Sequence, residues 1–235
     1  MICIPVMAAT QAEALQIIKE SAVLADVLEL RMDLLADGRL GELVGAIRDR
    51  APAVKILVTN RPGPASSGRK ERQRIALLKE AVSLGVDYVD VELTTAAPLR
   101  EEICKLIAAE RHRTALIVSH HDYQGTPAHL TLLKYFKESV QAGARVVKIA
   151  TLARTPEDNL AVLSLIPYAR RHDQEIVAFC MGEQGRISRV MAPLLGALFT
   201  FASLRRGAET APGQLSVGEM KQIFKILDNK VILEG

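Results

Sequence analysis

The most informative stretch of this sequence is Arg145-Val146-Val147-Lys148-Ile149-Ala150. It is short and rich in β-branched residues, which is typical of a strand that is buried on both faces. Lys148 is out of place there, because burying an ammonium without a partner is costly and such a group tends to lose its proton. A neutral amine on a rigid strand is a nucleophile for carbonyl carbon. The alternative is that Lys148 reaches water from the end of the strand, and for a lone lysine that interpretation is preferable.

Similar β-rich runs alternate with amphipathic helical patterns along the whole chain. The predicted strands are Ile2–Val6, Val27–Leu30, Val54–Thr59, Tyr88–Val91, Ala115–Ser119, Arg145–Ile149, Ile176–Phe179 and Ala197–Phe201. Eight strands and about eight helices, at roughly 29 residues per unit, are typical of a (β/α)8 barrel. An open doubly wound sheet is the alternative, but it usually has fewer strands and a glycine-rich loop after the first one, and no such loop follows Val6. We predict the α/β class, with a single (β/α)8 TIM barrel over residues 1–235.

Several helices carry signals in the sequence. An apolar stripe at helical spacing runs through Leu40, Leu43, Val44 and Ile47. Thr126-Pro127 and Thr155-Pro156 each predict an N-cap before a proline at the first helical position. Ser216 and Glu219 predict a capping box for the last helix. The segment from Arg61 to Gly68 is interpreted as a mobile loop.

Composition excludes several classes of function. The net charge is +3, and nine aromatic residues leave little for base stacking, so no nucleic-acid partner is expected. Cys3, Cys104 and Cys180 share no metal-ligand spacing and cannot all pair, which favours a reduced intracellular protein. The longest apolar run, residues 190–204, is too short to span a membrane. We therefore expect a cytoplasmic protein without a membrane partner.

Polar side chains cluster at the ends of the predicted strands. In a barrel, the C-terminal ends of the strands form the active-site face, whereas barrel stability needs no charged residues there. Acidic, basic and imidazole groups converging on that face predict a site for a polar, anionic carbonyl compound. In chain order the candidates are Glu29, Arg31, Arg61, Asp90, Glu92, His121, Lys148, Met181, Arg189, Phe201, Thr210 and Gln214.

Each of these residues has a plainer interpretation when taken alone. Glu29 and Arg31 share a strand face and could form a structural ion pair. Arg189 could be an ordinary surface charge of a helix, and His121 could cap a helix or fill the core. The dipeptide Pro212-Gly213 could be only a turn.

The motifs that carry these residues resemble those of type I 3-dehydroquinate dehydratase, the Schiff-base hydro-lyase of the shikimate pathway for aromatic amino acid biosynthesis. The resemblance runs nearly end to end, with eight motifs in the same order. They are Glu29-Leu-Arg31-Met-Asp33, Thr59-Asn-Arg61, Asp87-Tyr-Val-Asp90-Val-Glu92-Leu93, Ser119-His-His121-Asp122-Tyr123, Val147-Lys148-Ile149-Ala150, Met181-Gly-Glu-Gln-Gly-Arg-Ile-Ser188-Arg189, Phe199-Thr-Phe201 and Ala211-Pro-Gly-Gln214.

The resemblance implies conversion of 3-dehydroquinate to 3-dehydroshikimate and water, the third step of that pathway. It implies that Lys148 forms an imine with the substrate ketone and that His121 is the general base and acid. It further implies that Arg189 binds the substrate carboxylate, and that the loop around Gln214, with the hydroxyl of Thr210, closes over that end. The remaining implied roles are ring hydroxyl contacts from Glu29, Arg31 and Arg61, an apolar wall from Met181 and Phe201, and a carboxylate from Asp90 near the lysine and histidine. The family also implies a homodimer and no metal or organic cofactor.

One departure from the family pattern concerns the loop after Arg61. The family usually carries a glutamate there that helps to orient the histidine, whereas this loop has none before Glu71. Asp90, Glu92 or Glu71 would have to take that role.

Two other functions remain open from the sequence. A class I aldolase-like lyase also uses a Schiff-base lysine on the sixth strand of such a barrel. It normally has a phosphate site from glycine-rich loops after strands seven and eight, where this chain has Arg189 and Gln214. A non-catalytic barrel that binds quinate-like acids is the second alternative, suggested by the missing loop glutamate.

Overall fold

A computed structural model describes residues 1–63, 68–110 and 114–228. Parallel strands alternate with helices over these residues, and the predicted α/β barrel is confirmed. The strands are β1 Ile2–Val6, β2 Val27–Arg31, β3 Lys55–Thr59, β4 Tyr88–Glu92, β5 Ala115–Asp122, β6 Val146–Leu152, β7 Glu175–Met181 and β8 Thr200–Phe201. The helices are α1 Gln11–Ser21, α2 Leu40–Arg50, α3 Gly68–Ser83, α4 Ala97–Ala109, α5 His129–Gln141, α6 Asp158–Leu163, α7 Leu165–Arg171, α8 Arg186–Leu194 and α9 Val217–Asp228.

The sheet runs in the order β7-β6-β5-β4-β3-β2-β1-β8 and forms a nearly closed barrel. Between β7 and β8 the junction is made by the Leu198 N–H, which donates to the Ile176 carbonyl at 2.8 Å. Strand β8 is shorter than predicted, because the chain enters the sheet only at Thr200. Strands β5 and β6 run further than predicted, to Asp122 and Leu152. The longer strands place their last residues at the C-terminal end of the barrel.

Two apolar layers support the barrel. The interior layer contains Val27, Leu57, Ile117 and Val177, all fully buried. A second layer fills the space between the sheet and the helices. The stripe predicted for α2 belongs to this outer layer and is buried along its length. Above the interior layer, towards the ends of the strands, the inner face of the barrel carries the buried charged residues Glu29, Asp90 and Lys148.

Two of the predicted N-caps are wrong. Thr126 does not cap α5: its hydroxyl donates to the Leu152 carbonyl at 3.0 Å, and the helix begins three residues later. Thr155 does not cap α6 either, because its N–H donates to the Asp158 side chain at 3.0 Å. The capping box at Ser216 is confirmed, with the Ser216 N–H and hydroxyl both donating to Glu219.

Part of the chain lies outside the described residues. The predicted mobile loop includes residues 64–67, which belong to that part, as do residues 229–235. The domain boundary at residues 1 and 235 therefore stays a prediction. Among the described residues, no helix combines the length and the apolar character that crossing a membrane requires.

Candidate active site

A cavity of about 130 Å³ lies at the C-terminal ends of the strands. Every site residue predicted from the sequence lines it except Asp90, which lies beneath it, and Glu92, which lies beside it. The lining residues are Pro5, Glu29, Arg31, Arg61, His121, Tyr123, Lys148, Ala150, Phe179, Met181, Arg189, Phe201, Thr210, Ala211 and Gln214. The cavity thus combines basic, acidic and aromatic groups on one face of the barrel, as the strand ends predict.

Lys148 lies in the middle of β6 and is only 3% exposed. Its Nζ atom is 2.9 Å from Oδ2 of Asp90 and 4.7 Å from the centroid of the Phe201 ring. The interpretation that Lys148 reaches water from a strand end is therefore wrong. The amine faces the cavity from within the barrel and has one carboxylate as its partner.

Asp90 is shared between two cations. Both terminal nitrogens of Arg61 donate to its carboxylate, at 2.9 and 2.7 Å, and the Ser119 hydroxyl donates to it at 2.6 Å. Burial by itself would raise the pKa of Asp90, but Arg61, Lys148 and His121 outweigh it and hold that pKa well below its ordinary value. Asp90 is thus a fixed negative charge under the lysine.

His121 lies on β5, beside the lysine strand, with its Nδ1 atom 3.0 Å from Oε1 of Glu92. The two atoms are within hydrogen-bonding distance, although the ring N–H is not aimed squarely at the oxygen. Burial and the charge of Arg61 lower the pKa of His121, and Glu92 opposes them. A lowered pKa keeps the imidazole neutral near pH 7, in the form that accepts a proton.

Arg189 lies on α8 and is 1% exposed. Its Nε and Nη2 atoms have no hydrogen-bond partner among the described residues, and its guanidinium lies 4.5 Å from the centroid of the Phe179 ring. Burial lowers the pKa of Arg189, but a guanidinium stays protonated at neutral pH. An unpaired buried cation that faces a cavity predicts an anionic ligand, so the interpretation as a helix surface charge is wrong.

The position of Arg189 is fixed by the start of α8. The Ser188 hydroxyl accepts from the Cys180 N–H at 2.7 Å and donates to the Gly185 carbonyl at 2.6 Å. Gly185 lies so close to the Cys180 backbone that a Cβ atom there would clash with it. These contacts join α8 to β7 and direct the guanidinium into the barrel mouth.

Glu29 and Arg31 do not pair with each other. The Thr59 hydroxyl donates to Glu29 at 2.7 Å, and Arg31 donates twice to Asp33, at 3.0 and 2.7 Å. Asp33 therefore balances the Arg31 charge. The Glu29 carboxylate remains on the cavity wall beside it, which suits contacts to hydroxyl groups.

Thr210 and Gln214 belong to a loop that covers one side of the cavity. The Thr210 N–H and hydroxyl donate to the Gln214 side chain at 2.7 and 3.0 Å. The loop is joined to the end of β7, because the Gly182 N–H donates to the Pro212 carbonyl at 3.0 Å. Gly213 has a φ of 78°, and its Cα faces the Gly182 carbonyl so closely that a Cβ atom would overlap it.

Comparison with known proteins shows the family of this chain. The family model for type I 3-dehydroquinase matches residues 2–231. The chain belongs to the type I 3-dehydroquinase family. It is 34% identical over 231 residues to a 3-dehydroquinate dehydratase of Methanosarcina barkeri, covering 95% of this chain and 94% of that protein. A relative from Thermococcus gammatolerans with the same name is 36% identical over 229 residues, covering 96% of this chain and 98% of that one.

A solved 3-dehydroquinate dehydratase from Geobacillus kaustophilus superposes with a TM-score of 0.81 and 27% identity, covering 98% of this chain and 91% of that one. The family and enzyme class predicted from the sequence, a 3-dehydroquinase of the hydro-lyase type, are confirmed.

The sequence interpretation gave no role to three residues that lie at the site. Ser119 contacts Asp90 and Arg61, and Tyr123 and Phe179 line the cavity. Glu92 was named from the sequence as one of three carboxylates that could orient His121. Because strand side chains alternate with a period of two, Asp90 and Glu92 must share one face, and this signal could have identified Glu92. No comparable signal identifies Tyr123, which lies on a strand-end loop.

Proposed function

We propose that the protein removes water from 3-dehydroquinate to give 3-dehydroshikimate, through an imine between the substrate and Lys148. The observation that carries the proposal is the convergence of a buried lysine, an imidazole and an unpaired buried arginine on one cavity. Membership of the type I 3-dehydroquinase family supports the choice of substrate. The roles of the individual residues are inferred from the geometry of the cavity.

The first step is attack of the Lys148 amine on the ketone carbon at C3. The nitrogen forms a bond to carbon, the carbonyl oxygen leaves as water, and a protonated imine results. The positive nitrogen withdraws electrons and makes the C2 proton removable. Asp90 lies 2.9 Å from Nζ and holds the amine in place before and after the reaction. The same carboxylate also accepts from Arg61, so Asp90 contacts both cations.

His121 serves the two proton transfers. It accepts the C2 proton, and the electron pair of that bond forms an enamine. It then donates a proton to the C1 hydroxyl, which leaves as water while the enamine electrons move to form the C1–C2 double bond. An imidazole suits both transfers, because its ordinary pKa lies close to neutral pH. Hydrolysis of the remaining imine releases 3-dehydroshikimate and restores Lys148.

Arg189 binds the C1 carboxylate of the substrate. Its free nitrogens can donate to two carboxylate oxygens in the bidentate arrangement that a planar guanidinium favours. The substrate carboxylate thereby supplies the partner that the buried guanidinium lacks. Glu29 and Arg31 contact the ring hydroxyls, Met181 and Phe201 form the apolar wall, and Thr210 with Gln214 closes the carboxylate end.

The turnover assay tests this function against its alternatives. Incubation with 3-dehydroquinate is expected to raise the ultraviolet absorbance of the product enone. A protein that only binds quinate-like acids would show substrate binding by calorimetry without that rise. An aldolase-like lyase would instead cleave a phosphorylated or pyruvate-like ketone. Absence of enone formation at high enzyme concentration would contradict the proposal. A homodimeric state and a cytoplasmic location stay predictions from the family resemblance and the composition.

A further inference from the structure

We propose that Glu92 is the positioning residue of His121, and that Arg61 fixes Glu92 in this role in place of a loop glutamate. The proposal rests on the function proposed above, because it concerns the histidine of that reaction. It assigns Arg61 primarily to the buried carboxylate of Asp90 and the half-buried carboxylate of Glu92. The prediction that Arg61 also contacts a substrate hydroxyl stays a prediction.

The first support is the arrangement of the two carboxylates on β4. Asp90 and Glu92 lie two residues apart, so their side chains share the inner face of the barrel. Asp90 contacts Lys148 at 2.9 Å, and Glu92 lies 3.0 Å from His121. Each carboxylate therefore serves one of the two reacting groups. Both carboxylates are therefore positioned by the same strand, β4.

The second support is the position of Arg61 between the two carboxylates. Its Nη1 atom donates to Asp90 at 2.9 Å, to Glu92 at 2.6 Å and to the Ser119 hydroxyl at 2.7 Å. Its Nη2 atom donates to the other oxygen of Asp90 at 2.7 Å. Charge-assisted contacts in this fork geometry fix both carboxylates against rotation. Glu92 is held in place before the substrate arrives.

The third support is the chemistry of the imidazole. A carboxylate beside Nδ1 favours the tautomer that carries its proton on Nδ1, so the lone pair stands on Nε2. Since Nδ1 lies 3.0 Å from Glu92, Nε2 is the nitrogen left for proton transfer. When Nε2 accepts the C2 proton, the imidazolium gains a favourable interaction with Glu92, as in other base–carboxylate pairs. Glu92 thus stabilises the charged form that the reaction creates.

The other two candidate carboxylates are committed elsewhere. Asp90 accepts from Arg61, Ser119 and Lys148. Glu71 accepts two hydrogen bonds from Arg74, at 2.9 and 2.5 Å, on the helix outside the barrel. Of the three, Glu92 has its carboxylate within 3.0 Å of the imidazole.

The charges around His121 determine what its titration should show. Burial, Arg61 and Lys148 lower the pKa of His121, whereas Glu92 raises it. The groups that face the imidazole are Glu92 and Asp90 from β4, Arg61 after β3, Lys148 from β6 and Tyr123 after β5. The centroids of the His121 and Tyr123 rings are 5.9 Å apart. Removing the Glu92 charge should therefore lower the pKa of His121 further, because burial, Arg61 and Lys148 remain.

The test compares Glu92→Gln with Glu71→Gln and the wild-type protein. Glu92→Gln keeps the side-chain shape and an oxygen for Arg61, but removes the charge. Imine formation, followed by borohydride trapping with 3-dehydroquinate, should remain at the wild-type level, because Asp90 and Lys148 are unchanged. Turnover should fall at least tenfold, but by less than the 10²–10⁴-fold expected on loss of His121 itself. The acid limb of kcat/KM should move to lower pH, a shift that a merely structural defect would not produce.

Glu71→Gln should leave turnover and the acid limb as in the wild type. The proposal is overturned if Glu71→Gln moves the limb and Glu92→Gln does not, or if Glu92→Gln keeps full turnover. Nitrogen-15 NMR of wild-type His121 needs no variant: a proton on Nδ1 supports the proposal, and a proton on Nε2 overturns it. Failure of the wild type to trap substrate at all would count against the proposed function instead.

Discussion

Lys148 and Asp90 form a buried ion pair at the mouth of the barrel, with Nζ 2.9 Å from Oδ2 and side-chain exposures of 4% and 0%. A buried pair of this kind costs desolvation energy and is weak evidence for a stabilising role. The pair instead positions the nucleophile, because it holds the Nζ atom of Lys148 at one point of the sheet. A residue placed for chemistry at the expense of stability is the common pattern in active sites.

Asp90→Asn should destabilise the protein, because it leaves the Lys148 and Arg61 cations without their shared counter-charge. Removing one partner of a buried pair typically costs about 3–5 kcal/mol in the free energy of unfolding. Urea denaturation at pH 7 measures this loss. Glu102→Gln is the matched control, since it breaks the exposed pair with Lys79 and should cost far less. Equal stabilities for wild type and Asp90→Asn would contradict the account.

The stability difference between the wild type and Asp90→Asn should depend on pH in a defined direction. The pKa of Asp90 is lowered in the folded state, so its contribution is fully present above the unfolded pKa of about 3.9 and is lost as the pH falls below it. The stability difference between wild type and Asp90→Asn should thus be constant above about pH 5 and shrink in more acidic solution. A difference that grows on acidification would contradict this sign.

His121→Ala should separate imine formation from proton transfer. The variant keeps Lys148, Asp90 and Arg61, so the imine should still form and be trapped by borohydride. Turnover should fall by about 10²–10⁴-fold, the usual contribution of a positioned acid–base group. His129→Ala is the control: its ring contacts the Ser164 hydroxyl on the outer helices, and its loss should leave turnover unchanged. Wild-type turnover in His121→Ala would rule out this assignment.

Arg189→Lys should weaken substrate capture more than the chemical step. An ammonium keeps the charge but cannot make the bidentate contact, and a charge-assisted hydrogen bond contributes about 1.5–3 kcal/mol. We therefore expect KM to rise about 10- to 100-fold, with a smaller change in kcat. Arg145→Lys, at an exposed pair with Glu175 at the opposite end of the barrel, should change neither constant. An unchanged KM in Arg189→Lys would argue against a carboxylate contact.

Gly213→Ala should prevent the Thr210–Gln214 loop from seating on β7. Gly213 has a positive φ, and a Cβ atom there would overlap the Gly182 carbonyl. Gly207→Ala shares the backbone strain, with a φ of 79°, but its Cβ would meet open space. Both variants should lose about 1 kcal/mol of stability from strain, and only Gly213→Ala should also raise KM. Similar KM values in the two variants would contradict a seated loop.

Much of the fold could be predicted from the sequence because the barrel strands repeat one signal. Eight short β-branched runs at regular spacing specified the topology, and the polar residues at their ends converged as the barrel geometry requires. The strand limits were less accurate. The β-rich signal ends at Ser119 and Ile149, but the sheet continues, because hydrogen bonds between neighbouring strands extend to Asp122 and Thr151 regardless of side-chain propensity.

The pairing within the site could not be predicted in the same way. From the sequence, Glu29 and Arg31 were candidates for an ion pair, yet Arg31 turns to Asp33 on the following loop. The N-caps predicted at Thr126 and Thr155 were wrong, because both residues bond to the ends of β6 and α6 instead. Such choices depend on tertiary distances that local patterns do not contain.

The most direct test of the account is chemical trapping of Lys148. The wild-type protein is incubated with 3-dehydroquinate, reduced with borohydride, digested and analysed by mass spectrometry. We predict that the peptide containing Lys148 gains the mass of the bound ketone less one oxygen atom, and that Lys148→Ala gains nothing. No adduct on the wild-type protein, or an adduct on another lysine that persists in Lys148→Ala, would contradict the central claim.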